Sequence, residues 1–218
     1  MSYCDILRYL KIGNNKSDER TSSLIDEMIR VFKESITPKS IYAVYDCKVE
    51  TESVTLGEMT ISSASLAKHF EGCHRAVIFA ATLGASADTL IRKYGVQDME
   101  KTLIAQSVCN DMIETYCDEI EKEFSQSAEL KGLFPVTRYS PGYGDFDITC
   151  QKDILKLLDA SRIGISLTDG FMLLPSKSVT AIIGFSEKQK STAGYPENLT
   201  AKCASCEDKN CVYREAKQ

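Results

Sequence analysis

What this chain has little of narrows its function first. Histidine occurs twice, at His69 and His74, and neither shares a spacing with Ser, Cys or Asp that resembles a catalytic triad, so ordinary hydrolase machinery is missing. No run approaches the roughly 18 apolar residues of a membrane span; the longest strongly apolar stretch is AVIFAATLG, Ala76 to Gly84. The opening MSYCDILRYLKIGNNKSDER carries charges where a secretory signal needs an apolar core, and a cytoplasmic protein is expected. Lys and Arg number 26 against 31 Asp and Glu, for a net charge of −5. They are dispersed and form no basic stripe that would track nucleic acid. Phosphate loops are lacking too. ATLGASADTL offers one glycine, Gly84, where a dinucleotide fingerprint needs three and a P-loop two with a lysine, so it reads as a structural turn. No internal repeat or low-complexity segment is present.

Cysteine, by contrast, is plentiful. Nine occur in 218 residues, and an odd count without a secretory signal argues against a disulfide framework. Cys4, Cys47, Cys73, Cys109, Cys117 and Cys150 are scattered among apolar or helical patterns and read as small buried hydrophobes. Cys203, Cys206 and Cys211 instead form a C-x2-C-x4-C cluster near the C-terminus.

Apolar periodicity gives the elements. SYCDILRYLKIG fits a short helix stopped by Gly13, and LIDEMIRVFKESI a second one closed by Pro38. SIYAVYDCKVETESVTLGEMTI changes to a period of two and predicts a strand pair. SSASLAKHFEGC reads as a serine-capped helix, RAVIFAATLG as the most buried strand, and ASADTLIRKYG as a further helix. Asp98 to about Ser127 predicts the longest helix, with Val108, Met112, Tyr116, Ile120 and Phe124 as its buried stripe. Glu119, Glu121, Lys122 and Glu123 form its solvated face. TCQKDILKLLDAS predicts a helix capped by Asp147 or Thr149. GISLTDGFMLLPSKSVTAIIGFS predicts two strands joined through LPSKS. Mixed elements without regular βαβ alternation point to an α+β fold with a largely antiparallel twisted sheet and flanking helices; a doubly wound sheet is the alternative. Residues 1–198 are expected to form one domain, and 199–218 a cysteine-containing tail.

The segment TRYSPGYGDF, Thr137 to Phe146, joins two of these helices. The residue before Pro141 is biased to an extended conformation, Pro141 fixes its own φ, and Gly142 can take the positive φ of a type II turn. Arg138 and Tyr143 are thereby presented on either side of a sharp turn. Such a turn suits a small zwitterion: the guanidinium holds a carboxylate, Gly142 admits close backbone approach, and Tyr143 offers a ring face and a hydroxyl. The plainer alternative is a surface turn with an exposed arginine.

RYSPGYGDF with a following helix and IGISLTDGFMLLPSKSVTAIIGF resembles the activation domain of vitamin B12-dependent methionine synthase, and more closely its free-standing version. RYL near the N-terminus, SLAKHFEGCHRAVIFAATLG and the C-terminal cysteine cluster extend the similarity over most of the chain. The family's Arg-x-x-x-Gly-Tyr element matches at Arg138, Gly142 and Tyr143, which the resemblance implies are S-adenosylmethionine contacts. One departure is Asp147, where the family usually has a proline. The resemblance implies docking on a cobalamin carried by a partner, a methionine synthase or another corrinoid protein, acting in trans. An electron from flavodoxin or ferredoxin reduces inactive Co(II), and the methyl group passes to the resulting Co(I). The chain needs no acid, base or nucleophile for this, only positioning. Carboxylates or aromatic faces should meet the ligand's cationic sulfonium and amino groups. Glu114, on the long helix, is the candidate carboxylate.

Three thiolates at the tail's spacing point to zinc or an iron-sulfur cluster, with a fourth ligand from Cys150 or Cys73, or to reduced thiols without metal. Two rival functions follow. One is a metal or redox module that uses the tail and performs no methyl chemistry. The other is an S-adenosylmethionine methyltransferase acting on a small molecule, which usually needs a glycine-rich loop that this chain does not show.

Overall fold

The computed structural model describes residues 2–12, 17–129 and 132–188. Two helices open the chain. α1 (Tyr3–Tyr9) is capped by Ser2, whose hydroxyl accepts from the Asp5 N–H. α2 (Glu19–Ser35) is capped by Asp18 on the Thr21 N–H at 2.7 Å. It buries Ile25, Met28 and Phe32 along one side and gives way to extended backbone at Ile36, two residues before Pro38.

The period-two segment forms three strands where a pair was expected: β1 (Lys39–Val49), β2 (Ser53–Leu56) and β3 (Met59–Ser62). Gly57 and Glu58 turn β2 directly into β3, so one apparently continuous run contains two reversals. α3 (Ala64–His69) follows, its Leu66 N–H donating to the Ser63 hydroxyl at 3.0 Å. β4 (Cys73–Thr82) is the central strand, and α4 (Ala85–Gln97) and the 31-residue α5 (Met99–Glu129) follow it.

A short β5 (Phe134–Pro135), absent from the sequence pattern, pairs with the end of the last strand. α6 (Gln151–Leu158) comes next, then a small hairpin of β6 (Ser166–Leu167) and β7 (Leu173–Leu174), and finally β8 (Ser178–Ser186). The hairpin therefore closes through Thr168 to Met172. LPSKS does not form a hairpin turn: it carries the chain through a cis Leu174–Pro175 bond into a different sheet.

The six-stranded sheet runs β3-β2-β1-β4-β8-β5 and is antiparallel throughout, which establishes the α+β class. β1 bridges its two halves. Its Lys39 to Asp46 pair with β4, and its Cys47 to Val49 pair with β2. The two faces of β4 enter two cores. Val77, Phe79 and Ala81, with Ala181, Ile183 and Phe185 of β8, pack under α1, α2, α4 and α5. Ala76, Ile78 and Ala80, with Ile182, pack against α3, α6 and Phe146. A strand covered on both faces has no polar side to alternate with, which is why β4 reads as an unbroken apolar run.

The deepest face of α5 is formed by Ile104, Ala105, Val108, Cys109, Ile113 and Cys117. Only Val108 and Ile120 of the expected stripe are fully buried; Met112, Tyr116 and Phe124 pack at its edge. Four residues exceed one helical turn of 3.6, so a strict interval of four winds off the buried face within a few turns. Among the described residues no helix is long and apolar enough to cross a membrane.

Candidate functional site

The turn after β5 is built by backbone hydrogen bonds that its sequence permits. The Gly142 N–H donates to the Phe146 carbonyl at 2.7 Å, the Tyr143 N–H to Ser140 at 3.1 Å, and the Phe146 N–H to Tyr143 at 2.9 Å. Gly142 takes φ +92° and Gly144 φ +55°, the region that L side chains avoid. Gly144 is also sterically closed: a Cβ there would lie 2.5 Å from Ser65 Oγ and 2.8 Å from the Tyr139 hydroxyl.

Asp145 fastens this turn to α3. Its carboxylate accepts from the Ala64 N–H at 2.8 Å, the Ser65 N–H at 3.1 Å and the Ser63 hydroxyl at 2.5 Å, and it also accepts from the Ser65 hydroxyl. The hydroxyls of Ser63 and Ser65, joined by those backbone N–H groups, hold the carboxyl well below its usual pKa. Asp147, at the family's proline position, caps the 3-10 turn into α6 by accepting from the Thr149 N–H at 2.8 Å. Beneath the turn, Tyr139 stacks on Phe146 at 6.4 Å and meets Tyr143 edge-on at 5.8 Å. His69 Nε2 donates to the Thr137 carbonyl at 2.7 Å.

Arg138 faces the other way, onto α5. Nη1 donates to Asp118 at 2.5 Å and to Glu121 at 2.7 Å, and Nη2 to Glu114 at 2.9 Å. Positions 114, 118 and 121 follow i, i+4, i+7 and share one helix face. Burial disfavours the charged guanidinium, but Asp118 and Glu121 more than offset it and push its pKa above the usual arginine range. Glu121, expected on a solvated face, has a side chain only 20% exposed because Arg138 covers it. One turn before Glu114 on α5, Asn110 Oδ1 accepts from Lys177 Nζ at 2.7 Å.

The structure thus brings Arg138 and Glu114 into direct contact and sets Gly142 and Tyr143 on the adjoining turn, with Tyr143 59% exposed. Asp118, Glu121, Asp145 and Lys177 were missed by sequence reasoning. The 114/118/121 spacing was a readable signal for the first two, while the Asp145 and Lys177 contacts join elements about 80 and 67 residues apart and leave no local trace. Cys203, Cys206 and Cys211 lie outside the described residues, as does the expected boundary at residue 198. Of the suggested fourth metal ligands, Cys73 is buried in β4 and Cys150 is partly buried ahead of α6. Among the described residues no group of three or more His, Cys, Asp or Glu is arranged to hold a metal.

An antiparallel sheet layered between helices, with Arg138 and a Gly-Tyr turn set beside an acidic helix face, defines an α+β domain. The chain belongs to the family described as the vitamin B12 dependent methionine synthase activation domain, whose model matches residues 66–193. That range runs from α3 past β8 and includes the whole turn. A solved structure titled as the MetH reactivation domain bound to AdoHcy has the same fold: TM-score 0.62 at 13% identity, covering 79% of this chain and 66% of that one. A comparison with curated protein sequences returns no match.

Proposed function

We propose that the chain binds S-adenosylmethionine at the Arg138–Tyr143 turn and reactivates, in trans, the cobalamin of a methionine synthase or another corrinoid protein. The observation that carries this reading is the family match over 66–193, which contains Arg138, Gly142 and Tyr143 at the family's Arg-x-x-x-Gly-Tyr spacing. The structural relative is titled as bound to AdoHcy, which is S-adenosylmethionine without its methyl group.

The residues fit such a ligand. Glu114 and Asp118, with side chains 48% and 67% exposed, offer negative charge to an amino group, and the exposed Tyr143 ring offers a π face to a sulfonium. Arg138 uses three guanidinium contacts and retains donors for a carboxylate. Gly142 keeps the backbone open beside it. Bound S-adenosylmethionine would supply the methyl group and leave as S-adenosylhomocysteine, the acceptor being the partner's cobalamin once flavodoxin or ferredoxin has given it one electron. The role of this chain is to hold and aim the donor.

Calorimetric titration of S-adenosylmethionine into the wild type and Arg138→Ala tests the reading. Loss of a charge-assisted contact is expected to weaken binding by about 1.5–3 kcal/mol, roughly ten- to a hundredfold. A wild-type chain that does not bind overturns it. Metal analysis of anaerobically purified protein tests the cysteine cluster separately, and finding neither zinc nor iron would exclude a metal role for Cys203, Cys206 and Cys211.

A further inference from the structure

Lys177 is a half-buried cation beside α5. It follows Ser176 in the segment leading into β8, and its ammonium makes one hydrogen bond, to Asn110 Oδ1 at 2.7 Å. An ammonium has three donors, so two remain. It forms no ion pair among the described residues. The nearby Asp88 carboxylate is turned to the Ser176 N–H at 2.8 Å and the Ser176 hydroxyl at 2.5 Å. Cys109 contributes no charge, because burial pushes its thiol up to about 12. Desolvation accordingly lowers the Lys177 pKa, with the Asp88 charge only partly offsetting it.

The position is informative. Asn110 and Glu114 are one turn apart on α5, with Cβ atoms roughly 6 Å from each other. One receives Lys177 and the other Arg138. The two cations therefore approach neighbouring turns of the same helix face. They are neutralised very unequally: three carboxylates surround Arg138 and, among the described residues, none pairs with Lys177. An anion laid along α5 meets strongly compensated charge at one end and uncompensated charge at the other. The ammonium and carboxylate of an α-amino acid group share one carbon and lie well within the roughly 5.4 Å of a helical turn, so with a hydrogen bond of about 2.9 Å on each side the carboxylate can face Lys177 while the ammonium faces Glu114.

We propose that Lys177 is a second cationic contact for the ligand's α-carboxylate, with the Asn110 side chain holding it in place. This rests on the nucleoside-amino acid reading of the site given above and adds a specificity determinant to it. Lys177 then selects for the amino acid end of the ligand and is indifferent to the adenosine end.

Two probes separate those ends: S-adenosylhomocysteine, which carries the amino acid group, and methylthioadenosine, which lacks it. Both are titrated calorimetrically into the full chain and into Lys177→Met, which keeps the side chain's length and removes its charge. Lys177→Met is expected to weaken S-adenosylhomocysteine by roughly tenfold or more and to leave methylthioadenosine within about twofold. Lys177→Arg is expected to retain most of the affinity. Equal binding of S-adenosylhomocysteine by wild type and Lys177→Met overturns the assignment and leaves the nucleoside reading standing. Equal loss of both probes also overturns it, since that reports collapse of the site. If the wild type binds neither probe, the functional reading fails and the assignment with it.

Discussion

Glu121 grips Arg138 twice, accepting the backbone N–H at 3.1 Å through Oε1 and Nη1 at 2.7 Å through Oε2. One carboxylate on α5 thus fixes both where the chain leaves β5 and which way the guanidinium points. Glu114 and Asp118, more exposed, complete the contact from the preceding turns. The acidic face of the longest helix is the mould in which the motif arginine is set.

Removing that grip should be felt in stability as well as in binding. The side chains of Arg138 and Glu121 are 21% and 20% exposed, too sheltered for the pair to be discounted as a surface salt bridge. Glu121→Ala is expected to cost about 1–3 kcal/mol in urea unfolding, because it leaves a backbone N–H and part of a guanidinium without an acceptor. A midpoint unchanged from wild type would mean that Asp118 and Glu114 hold Arg138 unaided.

The two glycines of the turn are not equivalent. Among the described residues a Cβ at Gly142 meets only Ile148 Cδ1 at 3.4 Å, whereas at Gly144 it collides with Ser65 and Tyr139. Gly142→Ala should therefore cost about 1–2 kcal/mol for its positive φ. Gly144→Ala should cost more, by displacing the turn from α3. Comparing unfolding free energies of the two variants checks the order, and equal losses would mean that the turn moves freely enough to relieve the clash.

The difference between those glycines also marks what could be read from sequence. Gly142 was legible because Pro141 and Tyr143 flank it in a recognisable turn; the reason for Gly144 lies in Ser65 and Tyr139, brought there by folding. Helices and the doubly covered strand β4 were legible because their apolar periods are long. Of the two reversals in residues 39–62 the expected strand pair covers one; the second was not read, because only Gly57 and Glu58 separate β2 from β3. Glu121 reads as solvated on charge alone, and only the approach of Arg138 from the segment after β5 covers it. Local rules find elements, and a site assembled across elements stays hidden until the packing is known.

Asp145 makes acid stability a test of the turn's attachment. Its folded pKa is depressed by the hydroxyls and N–H groups at the start of α3. The sign follows: the contribution is fully present above the ordinary carboxylate pKa and is lost as pH falls through the folded value. Thermal melts should show wild type losing stability below about pH 4 more steeply than Asp145→Asn, which has no proton to take up. Parallel acid limbs would mean that Asp145 does not fasten the turn in solution.

Tyr143 separates stability from recognition. The residue is 59% exposed, and its ring meets Tyr139 edge-on at 5.8 Å. Little apolar area leaves water when it folds, so Tyr143→Ala should shift unfolding by no more than about 1 kcal/mol. If the ring covers the sulfonium, S-adenosylmethionine should nevertheless bind Tyr143→Ala about three- to thirtyfold more weakly, which is the range of a cation–π contact. Tyr143→Phe retains the π face and should stay near wild type. S-adenosylhomocysteine, which has no positive sulfur, should lose less affinity than S-adenosylmethionine in the alanine variant. Equal losses for the two ligands would assign Tyr143 to shape and not to charge, because only the sulfonium distinguishes the cationic donor from its demethylated product.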